Sequence, residues 1–330
     1  MKINKVLITD AIRTIQHSQA RFLSIIAIVA LGVSFFAGTN ATSPDMMDTV
    51  QKYLTDTNSM DIQIISTAGI TDEDIAIVSS INGIESAVGE KFVDGVVKID
   101  GEIISDIDGS ELAIRAISLD MNQVFAHVSG TDDPRYMNRP QLIEGSWPTA
   151  QNQCLVDASM LSTPEQFKIG ATLSIRGDGT DITSSLSNTE YTIVGIIRSP
   201  LFISYERGSS TVGTGKLGAF CYVPSDNFLQ DYYSSMSIKI QGTDGLDPYS
   251  KEYNALVKRY TDYLSQISTE VLSRRTDALK AEYTVKVADA EIEYATTKAD
   301  VELQLENGKA QVEMIHEMAQ NGAKNLVEFK

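Results

Sequence analysis

The sequence predicts a membrane-anchored α+β protein: one N-terminal transmembrane helix, an extracytoplasmic α+β domain with a β-rich subdomain, and a long C-terminal helix or coiled coil. Three observations carry this. Residues 22–43 lie in an uncharged window bounded by Arg21 and Asp45. Residues 61–240 hold short apolar runs separated by Gly, Asn and Asp turns. Residues 253–330 contain no Pro and repeat their apolar side chains at heptad spacing.

In the window, residues 22–36 hold ten side chains from Leu, Ile, Val and Phe, worth roughly −3 to −6 kcal/mol of insertion free energy. Extended through Ala41, the run reaches the ~20 residues that cross a ~30 Å hydrocarbon core as a helix. The rival reading is a cleaved signal peptide with Thr39-Asn40-Ala41 as its cleavage site. It needs a short basic head, whereas 21 residues precede this run. Those residues have their own pattern: Val6, Ile8, Ala11, Ile12 and Ile15 recur mostly at three- and four-residue spacing among Lys2, Lys5, Arg13, His17 and Arg21. This predicts an amphipathic interfacial helix over residues 1–21. Four Lys or Arg against one Asp give the segment +3 in a chain of −17. The positive-inside rule therefore keeps the N-terminus cytoplasmic, in the cell membrane, and puts residues after about 44 outside.

The acidic balance, pI about 4.6, supplies no basic stripe for phosphates, so nucleic acid is excluded as a partner and the lipid bilayer is the expected one. Cys154 and Cys221 are the only cysteines. They permit one disulfide or two buried thiols, and the second reading is preferred.

Within residues 44–246, Asp61-Ile62-Gln63-Ile64-Ile65 predicts a strand and Thr71 with Asp74 a capping box. A short helix through Ile75, Val78 and Ile81 then ends at Asn82-Gly83. Residues 84–88 and 92–99 read as strands, the second turning at Asp100-Gly101 into Glu102-Ile103-Ile104, and residues 112–119 as another. From Arg139 the texture is strands and turns: 142–147, 154–156, 172–175, 191–197, then a long mobile loop over 200–218, and 219–223 and 236–240 completing the sheet.

The phrases LIEGSWPTAQNQCLV, FKIGATLSI, YTIVGII and AFCYVP, in that order behind the membrane segment, resemble the extracytoplasmic domain of FtsX/MacB-type ABC transporter permeases. MDIQIISTAGITDEDIAIVSSINGIESAV resembles that family's first strand, helix and strand, so the likeness covers about residues 1–246. It implies a permease subunit that couples ATP hydrolysis by a cytoplasmic ABC ATPase partner to export or to mechanical work outside the membrane. It implies no enzyme activity in this chain. Ala171 stands where the family often has Asp, and residues 1–330 hold one membrane segment where such permeases carry at least four.

For residues 247–330, steps of four and three from Tyr260 through Leu264, Ile267 and Val271 to Ala299 meet eleven apolar positions in twelve, the exception being Arg274. The register then slips by three residues and resumes at Leu305, Val312 and Ile315. Asn307-Gly308 and Asn321-Gly322 weaken the helix. Some family members insert a long helical hairpin before their second membrane helix, and this tail resembles its outgoing arm. The expected partner is the returning arm or a second permease half, with the chain continuing beyond Lys330. A self-associating coil on a freestanding single-span, ligand- or wall-binding protein is the alternative.

No catalytic, cofactor-binding or metal residues are assigned. Gly213-Thr214-Gly215-Lys216-Leu217-Gly218 matches G-x-G-x-x-G, yet a strand follows it where a helix is needed. Asp106-Ile107-Asp108-Gly109 places its Gly too early for an EF-hand and reads as a hairpin turn. His127 and His316 lack Cys or His neighbours at ligand spacing.

Overall fold

The computed structural model describes residues 5–328 except 106–108, 132, 159–166, 180 and 205. For residues 5–8, 11, 43, 269–275, 278, 279, 282 and 320–328 it describes the backbone alone, which leaves the side chain of Arg274 outside the described ones. The chain forms two units, residues 1–262 and 263–330.

The first unit begins with α1 (Lys5–His17) and α2 (Gln19–Asp56). The predicted apolar window forms the first half of α2, but the helix runs through Pro44 and on for another twelve residues. A proline normally ends a helix; here the apolar and polar halves form one element. Among the described residues nothing covers the window: Leu31 is 71% and Phe35 78% exposed.

Two sheets follow. The small sheet has the order β1-β11-β2, from β1 (Ile62–Ile70), β2 (Ile84–Glu90) and β11 (Tyr233–Ile240), all antiparallel. Helix α3 (Asp72–Ser79) packs on it and starts at the predicted capping box: Asp74 N–H donates to Thr71 Oγ1 at 3.2 Å and Thr71 N–H to Asp74 Oδ2 at 2.9 Å. Both orphan donors are thereby satisfied locally. The predicted turn at Asp100-Gly101 is also present, with both residues at positive φ.

The large sheet runs β4 (Glu102–Ile103), β3 (Phe92–Ile99), β5 (Ala113–Leu119), β10 (Ala219–Pro224), β7 (Gln153–Asp157), β9 (Glu190–Arg198) and β6 (Gln141–Gly145). Strand β8 (Thr172–Arg176) pairs with both β3 and β9, so β3, β5, β10, β7, β9 and β8 close on themselves as a barrel. Its interior holds Val97, Ile99, Ile114, Leu173, Ile175, Ile193 and Val223. Each such side chain contributes roughly 1.5–3 kcal/mol by leaving water. Cys154 and Cys221 lie in the same interior as free thiols. Burial pushes Cys221 up to about 12 and Cys154 well above its ordinary value.

Three expectations change. Residues 236–240 do not complete the β-rich sheet; β11 is the centre of the small one, pairing antiparallel with β1 on one side and β2 on the other. Helix α4 (Met121–Val128), capped by Asp120, was not predicted and covers one outer face of the barrel through Val124. Residues 200–218 form the expected long loop, but among the described residues one ion pair, Arg207–Asp157, and hydrogen bonds at Ser209 and Ser210 pin it. Gly145 takes φ +86°, and a Cβ there would clash with Val194 O and fall 2.8 Å from Gly195 Cα, so no side chain fits.

The C-terminal helix α5 (Lys251–Glu328) carries both Asn-Gly pairs without a break. Considered by itself, the second unit is a single helix with Val285, Ile292, Tyr294, Val301, Leu305 and Val312 exposed. At 100° per residue, Val287, Tyr294 and Val301 form a second row roughly opposite Val285 and Ile292 of the predicted seam.

Candidate functional site

Two polar clusters of the first unit, around Asn138 and Asp61, meet where α2 enters the domain. Thr57 caps the helix and Asn58 follows at φ +46°, a left-handed conformation that Asn tolerates. The Asn58 side-chain amide donates to the carbonyls of Pro134 at 2.9 Å and Tyr136 at 3.0 Å. In return, Asn138 N–H donates to Asn58 O and Arg139 N–H to Thr57 O. The buried Asn138 side chain then ties three elements together. Its Oδ1 accepts from Met60 N–H at 3.0 Å, and its Nδ2 donates to Ser237 Oγ of β11 at 2.9 Å and Glu90 Oε1 of β2 at 3.2 Å. Burial raises the Glu90 carboxyl above the usual carboxylate range, opposed by the hydrogen bonds it accepts from Asn138 Nδ2 and, at 3.4 Å, from Ser237 Oγ.

Three residues on, Asp61 ties in the root of α5. Its carboxylate accepts from Ile240 N–H and Thr243 Oγ1, each at 2.8 Å, and from Tyr253 Oη of α5 at 3.0 Å. Burial, then the Asp61 charge, raises the Tyr253 phenol. Lys239 Nζ donates to Ser59 O at 3.2 Å and pairs with Asp244, and Gln51 of α2 donates to Gly245 O. Tyr260 of α5 packs on Gly83 and donates to Asn82 O. The last turn of α2, the end of β11 and the first turns of α5 are thus one hydrogen-bonded block.

The loop 199–218 forms the third part. Arg207 Nη2 donates to Asp157 Oδ2 at 2.6 Å, while Nη1 reaches the carbonyls of Phe202 and Ser204; both side chains of the pair are more than nine-tenths buried. Arg115 forms a bidentate pair with Asp94 at 2.7 and 2.8 Å, stacks 4.0 Å over Phe92 and reaches Ser209 O. Ser210 Oγ adds a bond to Asp94. Phe202 stacks on Phe220 with ring centroids 4.3 Å apart. Between this loop and α2 lies a cavity of about 580 Å³, lined by Thr49, Val50 and Tyr53 of the helix and by Arg198, Phe202 and Ile203 opposite.

The motifs set aside occupy structural positions. Gly213 N–H donates to Asp178, and β10 follows Gly218. His127 sits in the last turn of α4, edge-on to Tyr136, and His316 is on α5. Asp106, Ile107 and Asp108 lie outside the described residues, between Ser105 and Glu111, which form a β-bridge. Among the described residues, no three His, Cys, Asp or Glu could hold a metal ion. None of the junction residues was singled out from sequence for a site; apart from Lys239–Asp244, the side-chain bonds named for them lie between residues 48 to 194 positions apart.

Residues 22–258 match the family model described as the MacB-like periplasmic core domain. Among solved structures, the chain is similar to the extracellular domain of the noncanonic ABC-type transporter YknZ from Gram-positive bacteria, with 12% identity over 59% of this chain and 87% of that one and a TM-score of 0.30. It is also similar to the periplasmic region of MacB from Actinobacillus actinomycetemcomitans, with 13% identity over 62% and 84% and a TM-score of 0.30. A permease-protein domain from Porphyromonas gingivalis shares 14% identity over 60% and 77%, with a TM-score of 0.29. No curated protein matches the chain.

Proposed function

The chain belongs to the MacB-like periplasmic core domain family, and on that footing we propose that it is the leading part of an ABC transporter permease subunit. In this reading residues 22–43 cross the cell membrane and residues 1–21 lie on its cytoplasmic face. Residues 44–246 form the outer domain, and residues 247–330, which include α5, are one arm of a coiled-coil hairpin. A cytoplasmic ABC ATPase supplies the energy, and the permease converts it into export or mechanical work outside the membrane.

One observation carries the proposal: a single helix, α2, runs from the apolar window into the hydrogen-bonded block at Asn58, Asn138 and Asp61. A tilt or displacement of the membrane half is therefore delivered to both the small sheet and the root of α5, with no flexible linker to absorb it. Such blocks move as units because packed interiors are stiff.

Affinity purification of the tagged full-length protein from native membranes in mild detergent tests this. Recovery of an ABC ATPase whose hydrolysis the protein modulates is the expected result. Recovery of the protein alone, with a cysteine at Lys5 labelled from outside intact cells, overturns it and favours the freestanding anchor.

A further inference from the structure

The cavity beside α2 has a composition the transmission role leaves unused. Of the groups around it, Arg207 is saturated by Asp157 and two carbonyls, and Ser199 Oγ is engaged with Tyr222 Oη and Leu201 N–H. Arg198, at the exposed end of β9, forms no side-chain ion pair or hydrogen bond among the described residues, and its charge acts on the Tyr53 phenol across the cavity. With Arg207 and Asp157 cancelling, the lining carries a net positive charge in a chain of −17. Thr49 and Ser204 are the remaining polar groups, and the rest of the wall is apolar or aromatic: Val50, Tyr53, Ala158, Phe202 and Ile203, the last 59% exposed. The volume falls in the ~300–1,000 Å³ range of small-ligand sites.

Its position narrows the ligand class. Thr49 and Tyr53 lie six and ten residues beyond Ser43, on the order of 9 and 15 Å along the helix. The headgroup zone outside the hydrocarbon core is about 5–8 Å deep, so the cavity lies just beyond the lipid headgroups, with Thr49 the lining residue of α2 nearest to them. We propose that this cavity binds an amphiphile with an anionic headgroup, its phosphate or carboxylate paired with Arg198 and its apolar part against Val50, Phe202 and Ile203. The position argument rests on α2 crossing the membrane as proposed above; the charge and lining do not.

Binding of short-chain phosphatidylglycerol, short-chain phosphatidylcholine and inorganic phosphate to the full chain in phosphatidylcholine nanodiscs decides the matter. The expected result is saturable phosphatidylglycerol binding, with the other two at least about tenfold weaker. Arg198→Gln should weaken it by roughly tenfold, the loss of one charged hydrogen bond, with unchanged melting. Val50→Asp should weaken it further. A membrane lipid and a free amphiphile are separated by repeating the titration in phosphatidylglycerol discs: occupancy before any addition identifies the lipid, and competition by a soluble fatty acid alone identifies the free source. Equal affinity for both phospholipids, tightest binding of bare phosphate, or undiminished binding by Arg198→Gln overturns the proposal. Incorporation into the disc is scored separately. A chain that stays outside yet shows Arg198-dependent binding refutes the membrane span and supports the site.

Discussion

Helices α2 and α5 both leave large apolar side chains uncovered, yet they ask for different surroundings. Along α2, Leu31 and Phe35 are 71% and 78% exposed; along α5, Ile292 and Tyr294 are 66% and 69% exposed. Exposure alone does not separate them. Charge does: residues 22–44 of α2 contain no ionisable side chain, whereas in α5 Asp289, Glu291, Glu293 and Lys298 interleave with the apolar rows. A surface apolar all round is satisfied by lipid, and one striped by charge is satisfied by other helices that leave the charges wet. The two opposed rows on α5 sharpen this further, since one partner helix covers only one of them.

The largest expected effect breaks the comparison at its base. Ile28→Lys places a charge at the centre of the window at a cost of about 3 kcal/mol and should shift the protein out of the membrane fraction in flotation. Ile292→Lys should leave flotation unchanged and weaken only the association of α5 with other helices. Equal behaviour of the two variants in flotation would erase the distinction.

The roots of the two helices come next. Asn138→Ala strands the Met60 N–H beside α2 and should lower stability by about 2–3 kcal/mol, read by thermal melting of the full chain. Gly83→Ala adds a Cβ against Tyr260 of α5 at φ +92°, with an expected loss of about 1–3 kcal/mol. A negligible loss from Asn138→Ala would mean that α2 is not locked as described.

A smaller, pH-dependent effect belongs to Glu90, which hangs on the α2 root through Asn138. Its folded carboxyl titrates above the ordinary 4.5 because burial disfavours the charge. The folded state then binds the proton more tightly, so stability falls as pH rises from 4.5 through the raised value. Glu90→Gln should therefore melt above the parent at pH 8, with the difference shrinking toward pH 4. A constant difference across that range would assign the effect to packing. The control is the barrel interior, remote from either root by function: Cys154 and Cys221, pushed up by burial, should resist alkylation at pH 8 and react only on unfolding.

What was legible in the sequence was local. The Thr71–Asp74 capping box and the Asp100-Gly101 turn involve neighbours in the chain and appear as read. The apolar window was visible through its composition, but its continuation past Pro44 was not, since proline there argues for an end. Helix α4 is a single eight-residue element whose apolar residues also fit a strand; only Asp120 marked its start. The barrel was hidden because closure depends on β8 pairing with two strands far from each other in sequence. The junction was hidden for the same reason. Asn138 stands before Pro140 in a stretch without periodicity, and its meaning lies in Met60 and Ser237, 78 and 99 positions away.

The small sheet has its last-made strand in the middle. From Asp61 to Ile240 is 179 residues, and at roughly 5–20 residues per second of synthesis that is on the order of 10–40 s. During this interval β1 and β2 have emerged without the strand that joins them, and the carboxylate of Asp61 has no Ile240 or Thr243 to receive. The order of synthesis therefore makes the α2 junction the final part of the first unit to set, after the barrel strands have all been made.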